Sequence, residues 1–240
     1  MPHDTPLILV TNDDGYQARG IHALVQALQG LGEMYVVAPA DARSGASRSF
    51  TAMQPVRLHH LGDDSHGTHW MSCTGTPTDC VKLAYAVVLP RRPDLVVSGI
   101  NLGDNASTSV HYSGTMGAAI EGAIKHTPSI GFSLASCAPD ADFAPCLDMA
   151  RQIAAQALAN GRPADHCLNV NFPAIPHILG TRHCRAARGE WVEECMRANA
   201  PREGDWYWFT GRFIDLEPQA TDTDMAALRE GYASIVDIKV

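Results

Sequence analysis

Three short stretches carry side chains able to do chemistry together. Thr11-Asn12-Asp13-Asp14-Gly15 brings two adjacent carboxylates, and Arg43-Ser44-Gly45-Ala46-Ser47 brings hydroxyls. Gly99-Ile100-Asn101-Leu102-Gly103-Asp104-Asn105 adds amides and a third carboxylate, and none of the three stretches contains a histidine or a thiol. Carboxylates, a hydroxyl and an amide carbonyl are hard oxygen donors, the set that suits a divalent cation such as Mg²⁺, Mn²⁺ or Ca²⁺. Neighbours in an extended segment point apart, whereas a turn can aim both Asp13 and Asp14 at one ion. Taken alone, Asn12-Asp13-Asp14-Gly15 also reads as an ordinary turn that caps the next helix. The other two loops tip the reading toward a shared ligand set.

A fourth stretch, Tyr112-Ser113-Gly114-Thr115-Met116-Gly117-Ala118-Ala119, places a capping serine before small residues. Free N–H groups at such a helix start, with the Ser113 and Thr115 hydroxyls, suit an anion such as phosphate. A capped helix whose small face packs on a sheet is the plainer reading, and the two are compatible. Gly75-Thr76-Pro77-Thr78-Asp79-Cys80 is assigned to structure: Thr76 caps, Pro77 opens the first turn and Asp79 favours the dipole. The Gly-Lys-Ser/Thr ending of a P-loop is absent, no Gly-x-Gly-x-x-Gly follows the first apolar run, and no Gly-x-Ser-x-Gly elbow exists. His59, His60, Asp63, Asp64, His66 and His69 lack a helical His-x-x-x-His pair, and Gly62, Ser65 and Gly67 among them predict a solvated hairpin or loop.

The elements that must position these groups alternate. Leu7-Ile8-Leu9-Val10, Tyr35-Val36-Val37-Ala38, Leu95-Val96-Val97-Ser98, Ser129 to Leu134 and Leu168-Asn169-Val170-Asn171 read as buried strands. Ile21, Leu24, Val25 and Leu28 mark a helix ended by Gly30, and further helices fall at Pro77 to Val88, Gly114 to Lys125 and Ala144 to Leu158. Such alternation predicts an α/β fold, a Rossmann-like and mostly parallel sheet with helices on both faces. Ligands of such sheets sit outside the carboxyl ends of the strands, which is where the three loops fall. Beyond Pro173 the texture becomes polar and β-rich, so the chain divides into a 1–173 core carrying the site and a 174–240 extension, within one structural domain. Trp206-Tyr207-Trp208-Phe209 in that extension either cover a substrate or pack, and packing in an interface or core is the expected role. Tyr232-Ala233-Ser234-Ile235-Val236 reads as a closing strand.

Composition narrows the field. Lys+Arg 18 against Asp+Glu 26 leaves a net charge of −8, which disfavours a binder of nucleic-acid polymers or anionic membranes. No apolar stretch has the length of a membrane span, no signal peptide is visible, and the seven cysteines lack a Cys-x-x-Cys pair. A cytoplasmic protein with reduced thiols is expected.

With these loops in hand, the chain closely resembles the SurE family, survival-protein phosphatases that act as 5′- and 3′-nucleotidases. The resemblance rests on Val10 to Gly15, Val37-Ala38-Pro39 through Ser47, Gly75 to Cys80, Ser98-Gly99-Ile100-Asn101, and Tyr112 to Thr115 with Glu121-Gly122. Asn169-Val170-Asn171 with Pro173, Tyr207-Trp208 and Gly231-Tyr232 extend it over nearly the whole chain. It implies metal ligands at Asp13, Asp14, Ser44 and Asn101, one divalent ion, and hydrolysis of nucleoside monophosphates, with short polyphosphate also a substrate of some members. Asn101, Asn105, Ser113, Gly114 and Thr115 are the expected phosphate contacts, and Asp13 and Asp14 the expected catalytic pair. A dimer with exchanged extensions is expected; the chain stops at Val240, where many relatives continue into a helix, so a tetramer is left open. Where the family usually has Gly after the second loop asparagine, this chain has Ser107, and a differently shaped loop is expected. The alternatives are a non-catalytic metal- and nucleotide-binding regulatory module, and a nucleotide-sugar transferase, which would need a second domain of comparable size.

Overall fold

The computed structural model describes residues 5–160, 165–199 and 204–240. The first apolar run is strand β1 (Leu7–Thr11), buried along its whole length. Helix α1 (Arg19–Leu28) turns Ile21, Leu24, Val25 and Leu28 inward, and β2 spans Glu33–Pro39. The histidine-rich segment forms an antiparallel hairpin, β3 (Leu58–Asp63) with β4 (His69–Cys73). Helix α2 (Pro77–Leu83) continues as a π-helical turn over Ala84–Val88, where the Leu89 N–H reaches the Ala84 carbonyl at 2.9 Å. The single helix expected from Pro77 to Val88 is thus present with a wider ladder in its last turn. Then follow β5 (Leu95–Leu102), α3 (Gly114–Ile124), β6 (Ser129–Ala135), α4 (Ala144–Asn160) and β7 (His166–Pro173).

Beyond Pro173 come β8 (Thr181–Cys184), β9 (Gly189–Val192), β10 (Cys195–Arg197), β11 (Tyr207–Phe209), β12 (Arg212–Asp215), helix α5 (Asp224–Arg229) and β13 (Ala233–Lys239). Strands β9 with β12, and β10 with β11, pair antiparallel and make one long arm, joined midway by the Thr210 N–H on the Glu194 carbonyl at 2.9 Å. The closing strand β13 returns to the sheet antiparallel to β7, burying Ala233 and Ile235 in the main core, with β8 parallel on its outer side.

The nine strands lie in the order β3-β4-β2-β1-β5-β6-β7-β13-β8, and β4 through β7 run parallel. Helices α1 and α4 pack together on one face, α2 and α3 on the other. The chain leaves β1 toward β2 on one side, and the next parallel strand on the other side is β5. The point where strand order reverses therefore lies between β1 and β5. Open α/β sheets hold their ligands in the crevice at such a point.

Candidate active site

Asp13 and Asp14 leave the carboxyl end of β1 at this crevice. Asp13 is buried, and its Oδ1 accepts the Thr115 hydroxyl at 2.5 Å. A Cβ on Gly114 would lie 2.7 Å from the Asp13 Cβ and 2.9 Å from its Oδ2, so only glycine lets this carboxylate reach the first turn of α3. Burial pushes the Asp13 carboxyl from 3.8 up to about 6; the Thr115 hydrogen bond opposes the rise and the Asp14 charge adds to it. Burial raises Asp14 as well, against a single long contact of 3.4 Å from the Leu102 N–H to its Oδ2.

The second loop is tied to the first through the Arg43 N–H, which donates to the Asp13 carbonyl at 2.7 Å. Ser44 is exposed beside it. Further along, a Cβ on Gly117 would fall 2.1 Å from the Ser47 carbonyl oxygen, so α3 and this loop meet through bare backbone. A Cβ on Gly122 would lie 3.0 Å from the Val96 side chain of β5, so the small residues of α3 also serve the close packing on the sheet foreseen from their type.

The third loop leaves β5, whose register against β6 shifts between Ser98 and Asn101. The Asn101 Nδ2 donates to the Gly103 carbonyl at 2.7 Å, which leaves Oδ1 as the oxygen available to a ligand. Asn105 is gripped from below: its N–H donates to Asn171 Oδ1 at 2.7 Å, its carbonyl accepts from Asn169 Nδ2 at 2.7 Å, and its Nδ2 donates to Ser133 Oγ at 2.8 Å. Ser107 adopts φ 52, the left-handed backbone that glycine favours. The serine therefore leaves the chain in a glycine-type turn, held by its N–H on Asp224 Oδ2 and its Oγ–H on the Ala187 carbonyl, both at 2.8 Å.

Asp13, Ser44, Asn101, Asn105 and Ser113 line one cleft of about 840 Å³. Asp14 reaches that lining through Leu102. Gly114 and Thr115 lie behind Asp13 instead, with the Thr115 side chain fully buried and its hydroxyl spent on the carboxylate. Ser113 caps α3, its Oγ accepting the Met116 N–H at 3.1 Å. Sequence reasoning did not reach Trp191, Glu194 and Thr210, which close the far side of the cleft together with Phe209. The four rings of 206–209 are exposed, Phe209 by 88%, so of the interface or core packing expected for them the core alternative is corrected. Short strands with little apolar alternation gave no signal for where the arm would lie.

The remaining candidates have other work. Thr76 and Asp79 form a reciprocal capping box, and Asp79 also binds the Thr51 N–H at 2.9 Å and hydroxyl at 2.6 Å. His69 pairs with Asp63 at 2.7 Å on the hairpin, and the Trp70 ring N–H donates to Asp64 at 3.1 Å. Among the described residues no three His, Cys, Asp or Glu side chains gather to hold a metal. Two carboxylates with neutral oxygens are what the cleft offers. That set fits a hard cation: among the described residues no ion pair involves Asp13 or Asp14, and both carboxyls sit above their ordinary range with no positive side chain to offset them.

A doubly wound α/β sheet with a carboxylate pair against a helix N-terminus at its switch point defines the class: an α/β protein whose ligand crevice lies at the carboxyl ends of its central strands. The family model described as Survival protein SurE matches residues 8–193, and the chain belongs to the SurE family. A protein of Phocaeicola vulgatus named 5′-nucleotidase SurE is 47% identical over 240 residues, covering 100% of this chain and 93% of that protein. Its namesake in Bacteroides thetaiotaomicron is 48% identical, covering 100% and 92%. The crystal structure of the SurE protein from Aquifex aeolicus aligns with TM-score 0.83 at 34% identity, over 98% of this chain and 93% of that one. Among the described residues no helix is long and apolar enough to cross a membrane.

Proposed function

We propose that this protein is a 5′-nucleotidase, a divalent-metal-dependent phosphomonoesterase that hydrolyses nucleoside 5′- and 3′-monophosphates to nucleoside and phosphate. The observation that carries the reading is the meeting of three loops: Asp13, Ser44 and Asn101 share one cleft, with Asp14 one hydrogen bond behind it. The relatives named 5′-nucleotidase SurE support the 5′-nucleotidase part of this reading. Asp13, Asp14, Ser44 and Asn101 would hold one Mg²⁺ or Mn²⁺, with Ca²⁺ also compatible. Bound there, the ion supplies Lewis acidity to the phosphoryl group and lowers the pKa of coordinated water.

The chain's own groups do the rest. Asn101, Asn105 and Ser113 present donors to the phosphate oxygens, prearranged because Asn105 is fixed by Asn169, Asn171 and Ser133. The second N–H of the Asn105 amide stays available after the bond to Ser133. Thr115 acts one step back, holding Asp13 in place through its hydroxyl. Asp14, with only its long contact to Leu102, orients the attacking water and takes its proton; the P–O bond to the nucleoside breaks and the departing oxygen takes a proton from solvent, leaving nucleoside and phosphate. We place the protein in the cytoplasm on its cysteine usage, and as a homodimer on the exposed Trp206, Tyr207 and Trp208 rings of its arm.

Phosphate release from a nucleoside monophosphate, with and without chelator, tests the proposal. Chelator should abolish turnover and Mn²⁺ or Mg²⁺ restore it, and Asp14→Asn should lower kcat by roughly 10²–10⁴-fold with the fold intact. Tight nucleotide binding without turnover in the metal-loaded wild type would favour a regulatory module instead.

A further inference from the structure

The arm side of the cleft is not needed by phosphate chemistry. Opposite the loops, the arm contributes Trp191 from β9 and Phe209 from β11, with Glu194 and Thr210 between them. We propose that the Trp191 and Phe209 rings are the platform on which the base of a nucleoside monophosphate stacks while its phosphate lies against Asn101, Asn105 and Ser113; this rests on the nucleotidase reading above.

Size supports it first. A cleft of about 840 Å³ lies in the range of sites that enclose a whole organic ligand, roughly 300–1,000 Å³, and far exceeds the needs of a phosphoryl group. The chemistry of the two sides differs: the loops bring Asp13, Asn101, Asn105 and Ser113, whereas the arm brings two aromatic rings, Trp191 and Phe209, with Glu194 and Thr210 beside them. Ring faces stack on any base, so this wall selects for an aromatic heterocycle and discriminates weakly among bases.

The arm is also fixed relative to the phosphate end. Asp224 accepts both the Ser107 N–H and the Ala187 N–H at 2.8 Å, and the Ser107 hydroxyl donates to the Ala187 carbonyl. Ser107 belongs to the loop that carries Asn105, and Ala187 stands two residues before β9, so one buried carboxylate sets the spacing between the two ends. Higher up, Trp191 meets Phe213 of β12 edge to face, with centroids 5.8 Å apart, which braces its ring. Phe209 has no such cover and is 88% exposed. A ring so exposed on the cleft lining leaves its apolar area for a ligand to bury.

The test compares adenosine 5′-monophosphate with ribose 5-phosphate, which has the sugar and phosphate without the base. For Trp191→Ala, Phe209→Ala and Phe209→Leu, the ratio of kcat/KM for the nucleotide to that for the sugar phosphate should fall about tenfold or more, through KM. Trp191→Phe and Phe209→Tyr, which keep a ring, should retain most of the ratio. Turnover of ribose 5-phosphate by each variant reports that the site is folded, and Phe209→Leu keeps the apolar volume if the alanine variant does not fold. An unchanged ratio, a parallel loss on both substrates, or a change confined to dimerisation in light scattering would overturn the base platform. Failure of the wild type to hydrolyse the nucleotide would instead overturn the nucleotidase reading beneath it.

Discussion

Asp13→Asn separates what this carboxylate costs the fold from what it contributes to chemistry. Without a cation, a carboxyl lifted from 3.8 to about 6 keeps its proton in the folded protein after the unfolded chain has released it. The folded-state pKa is the higher one, so stability from this group is whole below 3.8 and is lost as the pH climbs through about 6. The integrated loss is about 3 kcal/mol, at ~1.4 kcal/mol per pH unit. Asparagine is neutral throughout, and its Oδ1 can still accept the Thr115 hydroxyl. Urea unfolding of both proteins in chelator should therefore show the stability difference moving about 3 kcal/mol in favour of the variant between about pH 4 and about pH 8. Comparing the two proteins cancels Asp64 and Asp79, whose carboxyls are held low and whose contributions run the other way with pH. Adding a divalent ion at about a hundred times its Kd should return roughly 2.7 kcal/mol to the wild type and little to the variant, which should also lack activity. A difference that stays flat with pH refutes the burial argument. An equal response of the two proteins to the ion refutes the ligand role.

Gly117→Ala should force the Ser47 backbone away from α3, lower activity at least tenfold through the displaced Ser44 loop, and cost about 1–3 kcal/mol in urea unfolding. Burial pushes the Asp79 carboxyl up, but hydrogen bonds from Thr51 and Thr76 outweigh it and hold the group below 3.8. Asp79 therefore stabilises the fold above that value and ceases to do so in acid. Asp79→Ala should cost about 2–3 kcal/mol near neutral pH and progressively less as the pH falls below about 4. Light scattering of the full chain should give the mass of a dimer; a monomer at micromolar concentration would undo the assembly reading.

Most strands and helices up to Pro173 were legible because each carries its own local signal; β4 was not, because its buried Met71-Ser72-Cys73 follow a polar, histidine-rich stretch that reads as solvated surface. The run Leu7–Val10 is apolar on both faces because helices cover both sides of β1, and Ser113, Thr76 and Gly30 punctuate helices by their chemistry. The crevice was legible for the same reason, since strand ends in a parallel sheet must share one edge. Pairing partners were not. Tyr232 to Val236 reads as a strand, yet its place between β7 and β8 depends on contacts far along the chain. The arm was less legible still: Trp191 stands in a short strand whose only periodicity is that of its partner β12. Thr115 shows a subtler limit. Its type suits a phosphate contact or a carboxylate contact equally, and only the proximity of Gly114 to Asp13 decides in favour of the carboxylate.

The carboxyl edge of β1 and β5 is where local consistency gives way. Asn12 Oδ1 and Ser98 Oγ are buried there with no hydrogen-bond partner, Ser107 holds a left-handed backbone, and Asp13 has its carboxylate enclosed beside a second one. Each unsatisfied or strained group costs on the order of 1–3 kcal/mol. Such costs are affordable only because the surrounding frame is over-determined: β1 is buried at every position, and the main core runs from α1 through β5 and β6 to α4. A lysine or arginine beside Asp13 would relieve the electrostatic part and would also fill the place of a cation. The fold instead leaves two acids facing neutral oxygens with no positive side chain beside them, and it is on this imbalance that the proposed divalent ion rests.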